Sequence, residues 1–151
     1  MKILMVCLGN ICRSPLAEGI LKYKCAQRKL DWHIESAGTG KWSMGDAPDE
    51  RSIRIASEKG IDISSQRSRS VHSGDYEEFD LLFAMDISNY KHLMQWAMDK
   101  EEEHKVKLIM DEISPGENIS IPDPYWNDAG FEEVYAILDK ACDKIVERYS
   151  T

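Results

Sequence analysis

Apolar residues fall along this chain in two alternating rhythms. Ile3-Leu4-Met5-Val6-Cys7-Leu8 is an unbroken apolar run ended by Gly9-Asn10, which predicts a strand buried on both faces, as in a parallel sheet. A three-and-four rhythm follows. Leu16, Ala17, Ile20 and Leu21, with Lys24 at the margin, share one face of a helix predicted to reach about Arg28. Ser14 is its expected N-cap and Pro15 its first helical residue. The alternation then repeats. Trp32–Ser36 predicts a short second strand, broken by Gly38 and Gly40. Ala47-Pro48 opens a helix through Glu58, closed by Gly60. Residues 61–74 are polar and irregular. Leu81–Met85 predicts a third buried strand, and Asp86–Met98 a helix with Tyr90, Leu93, Met94 and Ala97 as its stripe. Val106–Met110 predicts the fourth strand. The last helix, about 128–149, repeats Phe131, Val134, Tyr135, Leu138, Cys142, Ile145 and Tyr149 at three and four. The acidic run Asp99, Glu101, Glu102, Glu103 reads as a solvated loop.

Strands alternating with helices predict an α/β fold. Residues 1–151 form a single three-layer domain with a parallel twisted sheet of about four strands and helices on both faces. Ligands of such sheets bind beyond the carboxyl ends of the strands. The loops after the first two strands and the irregular stretch 111–127 are therefore the places to look for chemistry.

Composition narrows the function classes. The chain has 151 residues, 42% hydrophobic and 30% charged, as in an ordinary globular domain. Its net charge of -8 argues against general nucleic-acid binding, though not against a local basic pocket. Four cysteines are too few for a disulfide scaffold, and no C-x-x-C pair or zinc-type His spacing occurs. No metal and no cofactor are expected. No signal-peptide pattern and no run of about 18 apolar residues is present. These features predict a reduced, cytoplasmic setting with no membrane partner.

The loop Cys7-Leu8-Gly9-Asn10-Ile11-Cys12-Arg13-Ser14 joins the first strand to the first helix. Successive backbone N–H groups of a tight loop can converge as an anion nest, and the helix N-terminus adds partial positive charge. Gly9 permits a tight path, and Asn10 tolerates left-handed angles. Arg13 can grip two phosphate oxygens with its planar fork. The same cradle favours a thiolate at Cys7. Nucleophile and anion site thus fall in one place. A bare Cys-x5-Arg would mean little; here it follows a strand, opens a helix and carries Ser14 beside Arg13.

These eight residues resemble the signature loop of the low-molecular-weight protein tyrosine phosphatases. Asp123-Pro124-Tyr125 resembles the family's acid loop, and Ser36-Ala37-Gly38-Thr39, Ala47-Pro48-Asp49 and Met85-Asp86 match further landmarks in order. The resemblance implies that Cys7 attacks phosphorus, that Arg13 and the loop residues Leu8, Gly9, Asn10, Ile11 and Cys12 hold the phosphate, and that Ser14 donates to the Cys7 sulfur. Asp123, on a loop stiffened by Pro122 and Pro124, would protonate the leaving phenolate and then activate water. Trp42, Tyr125 and Trp126 would wall the pocket with Leu8 and Ile11. Cys12 would form a reversible disulfide with Cys7 under oxidation, or else serve as a small core filler. Cys25 and Cys142, on helices, read as packing residues. The implied partners are phosphotyrosine-containing proteins, with inorganic phosphate as product, and the implied state is a monomer.

Two departures stand out. Gln66 fills the position where relatives carry a His that supports the signature-loop Asn and Ser, while His72 reads as a surface residue. Trp126 stands where many relatives have a second Tyr. Rivals on the same scaffold are weaker. An arsenate reductase needs further cysteines in a mobile segment, and none occurs between Cys25 and Cys142. Arginine phosphatases usually carry Thr at the position of Ile11. A non-catalytic phosphotyrosine-binding module would lack Cys7, Arg13 or Asp123. Arg51, Arg54, Arg67 and Arg69 are candidate local attractors for substrate.

Overall fold

In the computed structural model, which describes residues 1–150, the first apolar run becomes β1 (Lys2–Cys7). It is followed by α1 (Arg13–Gln27), β2 (His33–Gly38), α2 (Glu50–Glu58), α3 (Gly74–Glu78) and β3 (Leu81–Ala84). Next come α4 (Ile87–Trp96), α5 (Lys100–Lys105), β4 (Val106–Leu108) and α6 (Gly130–Tyr149). The four strands pair in the order β2-β1-β3-β4, every pair parallel. The predicted α/β fold, with a four-stranded parallel sheet, is what forms.

The pleat of β1 divides the core. Ile3, Met5 and Cys7 face α1, α2 and α6, while Leu4 and Val6 face α3 and α4. Both faces of this strand are covered, which is why its sequence shows no polar alternation. The chain steps from β1 to β2 on one side and then crosses back to β3 on the other. Loops leaving β1 and β3 therefore diverge, and a crevice opens between them at the carboxyl edge of the sheet. Cys7 ends β1 at that crevice.

Several local expectations are corrected. Helix α1 begins at Arg13, with Cys12 at the N-cap and no side-chain cap. Ser14 therefore lies inside the helix, its hydroxyl committed to side chains of the loop. Helix α2 starts at Glu50, capped by Asp49, whose carboxylate accepts from the Arg51 N–H. The acidic run is not a loop: Asp99 caps α5, and Glu101, Glu102 and Glu103 lie in its first turn, where the helix dipole favours them. Helix α3 lies at the end of the stretch read as irregular. The fourth strand is shorter than predicted and passes into a 3₁₀ turn at Ile109–Glu112. Among the described residues, no helix is long and apolar enough to cross a membrane.

Gly38 does not break the second strand; it is the last residue of β2, paired with Cys7. Its importance is close approach. A Cβ there would lie 2.8 Å from the Leu8 carbonyl oxygen and 3.2 Å from the Asn10 Cβ. Backbone and a buried side chain cannot swing aside as a flexible terminus can. Gly38→Ala is expected to cost about 1–3 kcal/mol through overpacking. It should also push the loop after β1 outward, weakening phosphate binding at least tenfold. Denaturant unfolding and a phosphate titration check both. Unchanged phosphate affinity would show that the loop tolerates the displacement.

Candidate active site

The loop between β1 and α1 is turned with its carbonyls outward. The Cys7 carbonyl accepts from Thr39 N–H at 2.9 Å, that of Leu8 from Gly40 N–H at 2.8 Å, and that of Ile11 from Asp49 N–H at 2.8 Å. The Gly9 carbonyl accepts from the Ser43 hydroxyl, and that of Cys12 from the Ser52 hydroxyl at 3.3 Å. The N–H groups of Leu8 through Cys12 have no acceptor among the described residues. Five carbonyls of the loop, those of Cys7, Leu8, Gly9, Ile11 and Cys12, are taken up from outside, which leaves its donors free for the interior, the arrangement an anion nest requires. The left-handed turn this requires falls on Asn10, at φ 56°, and not on Gly9.

Asn10 is 3% exposed, and its amide is fully engaged. Nδ2 donates to Ser14 Oγ at 2.7 Å and to Ser36 Oγ at 2.9 Å, and Oδ1 accepts from Arg69 N–H at 3.1 Å. Ser36 donates onward to buried Glu18 at 2.7 Å, and Lys22 donates to the other Glu18 oxygen at 2.6 Å. Because Ser14 accepts from Asn10, its own proton is free for the Cys7 sulfur, 3.0 Å away. Gln66 has no part in this network. Its Nε2 donates to the Pro15 carbonyl at 3.1 Å, and its Oε1 is buried without a partner. The support expected of Gln66 comes instead from Ser36 and Glu18. Gln66 is engaged with the α1 backbone and leaves the amide of Asn10 to them.

Arg13 is 2% exposed. One terminal nitrogen donates to Asp86 at 2.7 Å and to the Ile121 carbonyl at 2.9 Å; the other lies 3.8 Å from Asp123. Burial works against the Arg13 charge, but Cys7 and Asp86 outweigh it, and the guanidinium is held above its ordinary value. Asp86 also caps α4 through the Asn89 N–H at 2.7 Å. One carboxylate thus fixes both a helix start and the direction of the fork. In the sequence Asp86 stands only as a family landmark, and its spatial role is invisible until β1 and β3 are placed side by side.

Cys7, Arg13 and Asp123 line one cleft of about 400 Å³ with Leu8, Gly9, Ile11, Cys12, Trp42, Tyr125 and Trp126. Ser43 and Asp46, which sequence reasoning did not single out, line it too. Trp42 and Trp126 are 70% and 87% exposed, so they stand at the rim and not in the core. Asp123 accepts from the Tyr125 N–H at 3.1 Å and caps the 3₁₀ turn Pro124–Trp126. The Cys12 thiol is pushed up by its burial, then by the charges of Asp49 and Cys7.

Three of the four arginines are engaged by groups of the chain itself. Arg69 pairs with Asp75 at 3.0 Å and Glu35 at 3.2 Å. Arg51 pairs with Asp49 and Asp128. Arg67 donates to the carbonyls of Ser64 and Gln66. Arg54 lines a separate cleft beside α2. Away from the active cleft, His33, Glu35 and Glu78 bring ligand atoms within 4.8 Å of one another, but Glu35 is already engaged by His33 and Arg69.

Comparison with known proteins agrees with this geometry. The sequence model of the family described as low molecular weight phosphotyrosine protein phosphatase matches residues 2–150. The low molecular weight protein-tyrosine-phosphatase YfkJ of Bacillus subtilis is 36% identical, over 95% of this chain and 92% of its own. A protein tyrosine phosphatase structure from Entamoeba histolytica superposes with a TM-score of 0.90 at 35% identity, covering 99% of this chain and 96% of that one. The structure of a drosophila arginine phosphatase superposes with a TM-score of 0.93 at 33% identity, covering 100% and 99%.

The double duty of Asp86 can be separated by substitution. Asp86→Ala is expected to lose about 1.5–3 kcal/mol for the charge-assisted bond and about 1 kcal/mol for the cap. Asp86→Asn should recover the cap alone, since Asn caps as well as Asp. Equal losses for the two variants in denaturant unfolding would mean that the cap contributes nothing.

Proposed function

The chain belongs to the low molecular weight phosphotyrosine protein phosphatase family, and we propose that it hydrolyses phosphotyrosine in proteins, and aryl phosphates generally, through a phosphocysteine intermediate. The observation that carries this reading is the loop with its carbonyls outward and its donors free around Cys7. Cys7 attacks phosphorus as the thiolate, and the sulfur–phosphorus bond forms as the bond to the tyrosyl oxygen breaks. The loop N–H groups and Arg13 hold the three equatorial oxygens, where charge is greatest in the transition state. Asp123 donates its proton to the departing phenolate, whose conjugate acid has a pKa of about 10. It then takes a proton from the water that splits phosphocysteine, releasing inorganic phosphate and restoring Cys7. Peroxide can divert the same thiolate. Oxygen transfer gives the sulfenic acid, and the Cys12 thiol then displaces water to form a Cys7–Cys12 disulfide.

Ile11 and the aromatic rim support an aryl substrate. Trp42, Tyr125 and Trp126 offer flat apolar faces to a phenyl ring. The kinship with an arginine phosphatase makes phosphoarginine the second reading to test. A phosphoguanidinium would need polar partners that the Ile11 side chain does not supply.

Cys7→Ser should bind inorganic phosphate yet show no turnover of either phosphotyrosine or phosphoarginine peptides, while the wild type prefers phosphotyrosine. Turnover by Cys7→Ser would sink the covalent mechanism, and a wild-type preference for phosphoarginine would replace the substrate class. Asp123→Ala should be selective by leaving group. Its kcat should fall about 10²–10⁴-fold on phosphotyrosine and far less on a nitrophenyl ester, whose phenolate leaves unaided. Phosphate binding should barely move. Equal losses on both esters would assign Asp123 a structural role.

A further inference from the structure

Arg51 is one of the charged side chains of this molecule that the mechanism does not use. It lies in the first turn of α2, outside the lining of the active cleft. Its Nε and one terminal nitrogen donate to the two oxygens of Asp49, at 2.9 and 2.8 Å. The remaining terminal nitrogen donates to Asp128, beyond the acid loop. The guanidinium carbon lies 5.4 Å from the ring centroid of Tyr125 and 4.5 Å from that of Phe131. Asp49 in turn holds the phosphate-binding loop, through its N–H on the Ile11 carbonyl at 2.8 Å.

A single planar cation therefore touches both halves of the site. On one side it reaches the anchor of the phosphate-binding loop. On the other it reaches Tyr125 and Asp128, which lie two and five positions beyond Asp123. Its fork, edge and face are all occupied by chain groups, so it has nothing left with which to attract substrate. The two loops come from distant parts of the sequence, and the acid can act only if its carboxyl is held at the right distance from a phosphate seated on the nest.

We propose that Arg51 is a positioning residue for general-acid catalysis: it ties the acid loop to the phosphate-binding loop and so sets the placement of Asp123. This rests on the reading of Asp123 as the acid. Arg51 touches no reacting atom. Its contribution passes through Asp123 alone, and depends on a planar group that spans two carboxylates and lies against two rings, which a lysine ammonium cannot do.

The experiment measures kcat on phosphotyrosine and on a nitrophenyl ester for Arg51→Met, Arg51→Lys, Asp123→Ala and the double variant Arg51→Met with Asp123→Ala. Inhibition by inorganic phosphate is followed in parallel. Arg51→Met is expected to lose about tenfold to a hundredfold on phosphotyrosine, the scale of an ångström's misplacement. On the nitrophenyl ester it should lose less than about threefold, with phosphate inhibition unchanged within about twofold. Arg51→Lys should resemble Arg51→Met. The double variant should be no worse than Asp123→Ala, because one effect acts through the other. Equal losses on both esters, losses that multiply in the double variant, or full rescue by Lys would each overturn the proposal. Should Arg51→Met fail to fold, Asp128→Asn weakens one of the two links to the acid loop by removing its charge, at a position 86% exposed, and should show the same selectivity in smaller measure. A uniform loss in Asp128→Asn overturns the proposal as well. If Asp123→Ala itself shows no leaving-group selectivity, the acid assignment falls and takes this one with it. That outcome is distinct from a selective Asp123→Ala beside an unselective Arg51→Met, which refutes the role of Arg51 alone.

Discussion

Asn10 is held in the left-handed region by three hydrogen bonds from a side chain that water barely reaches. A residue with a Cβ gives up about 1–2 kcal/mol to sit there. Each buried hydrogen bond returns about 1 kcal/mol, and leaving the amide unpaired would cost more than that. The local strain is therefore offset by the network that needs it. Without that turn, the carbonyls of Leu8, Gly9 and Ile11 could not all point outward to Gly40, Ser43 and Asp49. Free donors around Cys7 follow from the outward carbonyls, and the hydroxyl proton of Ser14 is aimed at sulfur because Asn10 occupies its lone pair.

The second constraint is the charge on Arg13. A buried guanidinium with no counter-charge would be destabilising. Asp86 and the Ile121 carbonyl satisfy one terminal nitrogen. The other nitrogen meets only Asp123, at a longer 3.8 Å. The arginine is thus anchored on one side and available on the other. Strand order makes this possible: β1 and β3 are neighbours, so the residue after one strand end can hold the helix start after the other. Asp123 lines the same cleft as Cys7 because the chain returns from β4 across the same edge.

What could be read from the sequence was what is local. An apolar run ended by Gly-Asn and a helical rhythm after it placed β1, α1 and the loop between them, and Cys7-x5-Arg13 marked the chemistry. Local reading also misled. Ser14 before Pro15 carries a capping signal, yet the helix starts two residues earlier and the hydroxyl serves Cys7 and Asn10 instead. Gln66 matched a position in a pattern, but its reach stops at the Pro15 carbonyl. Glu18 carries no local signal, and Asp86, Ser36 and Arg51 stand out in the sequence only as landmarks or as a candidate attractor, because each works through a partner far away in sequence. Ser36 is 26 positions from Asn10, and Asp86 is 73 from Arg13. Such pairs leave no periodicity, and only the sheet order brings them together.

The two thiols of the loop show how finely such pairing divides chemistry between like groups. Cys7 and Cys12 are both buried and both line the cleft. Cys7 ends a strand, faces the free donors and receives a hydroxyl proton from Ser14. Cys12 occupies the N-cap position of α1, where its sulfur makes no capping bond. Burial opposes its ionisation first, and the negative charges of Asp49 and Cys7 add to that opposition. Its surroundings therefore hold the Cys12 thiol protonated beside the free donors of the loop. A neighbour that stays protonated leaves the loop's donors free and would not repel an anion seated there. On the proposed mechanism it would react only after Cys7 had been oxidised to an electrophilic sulfenic acid, so the order of events between the two would follow from the different surroundings the fold gives them.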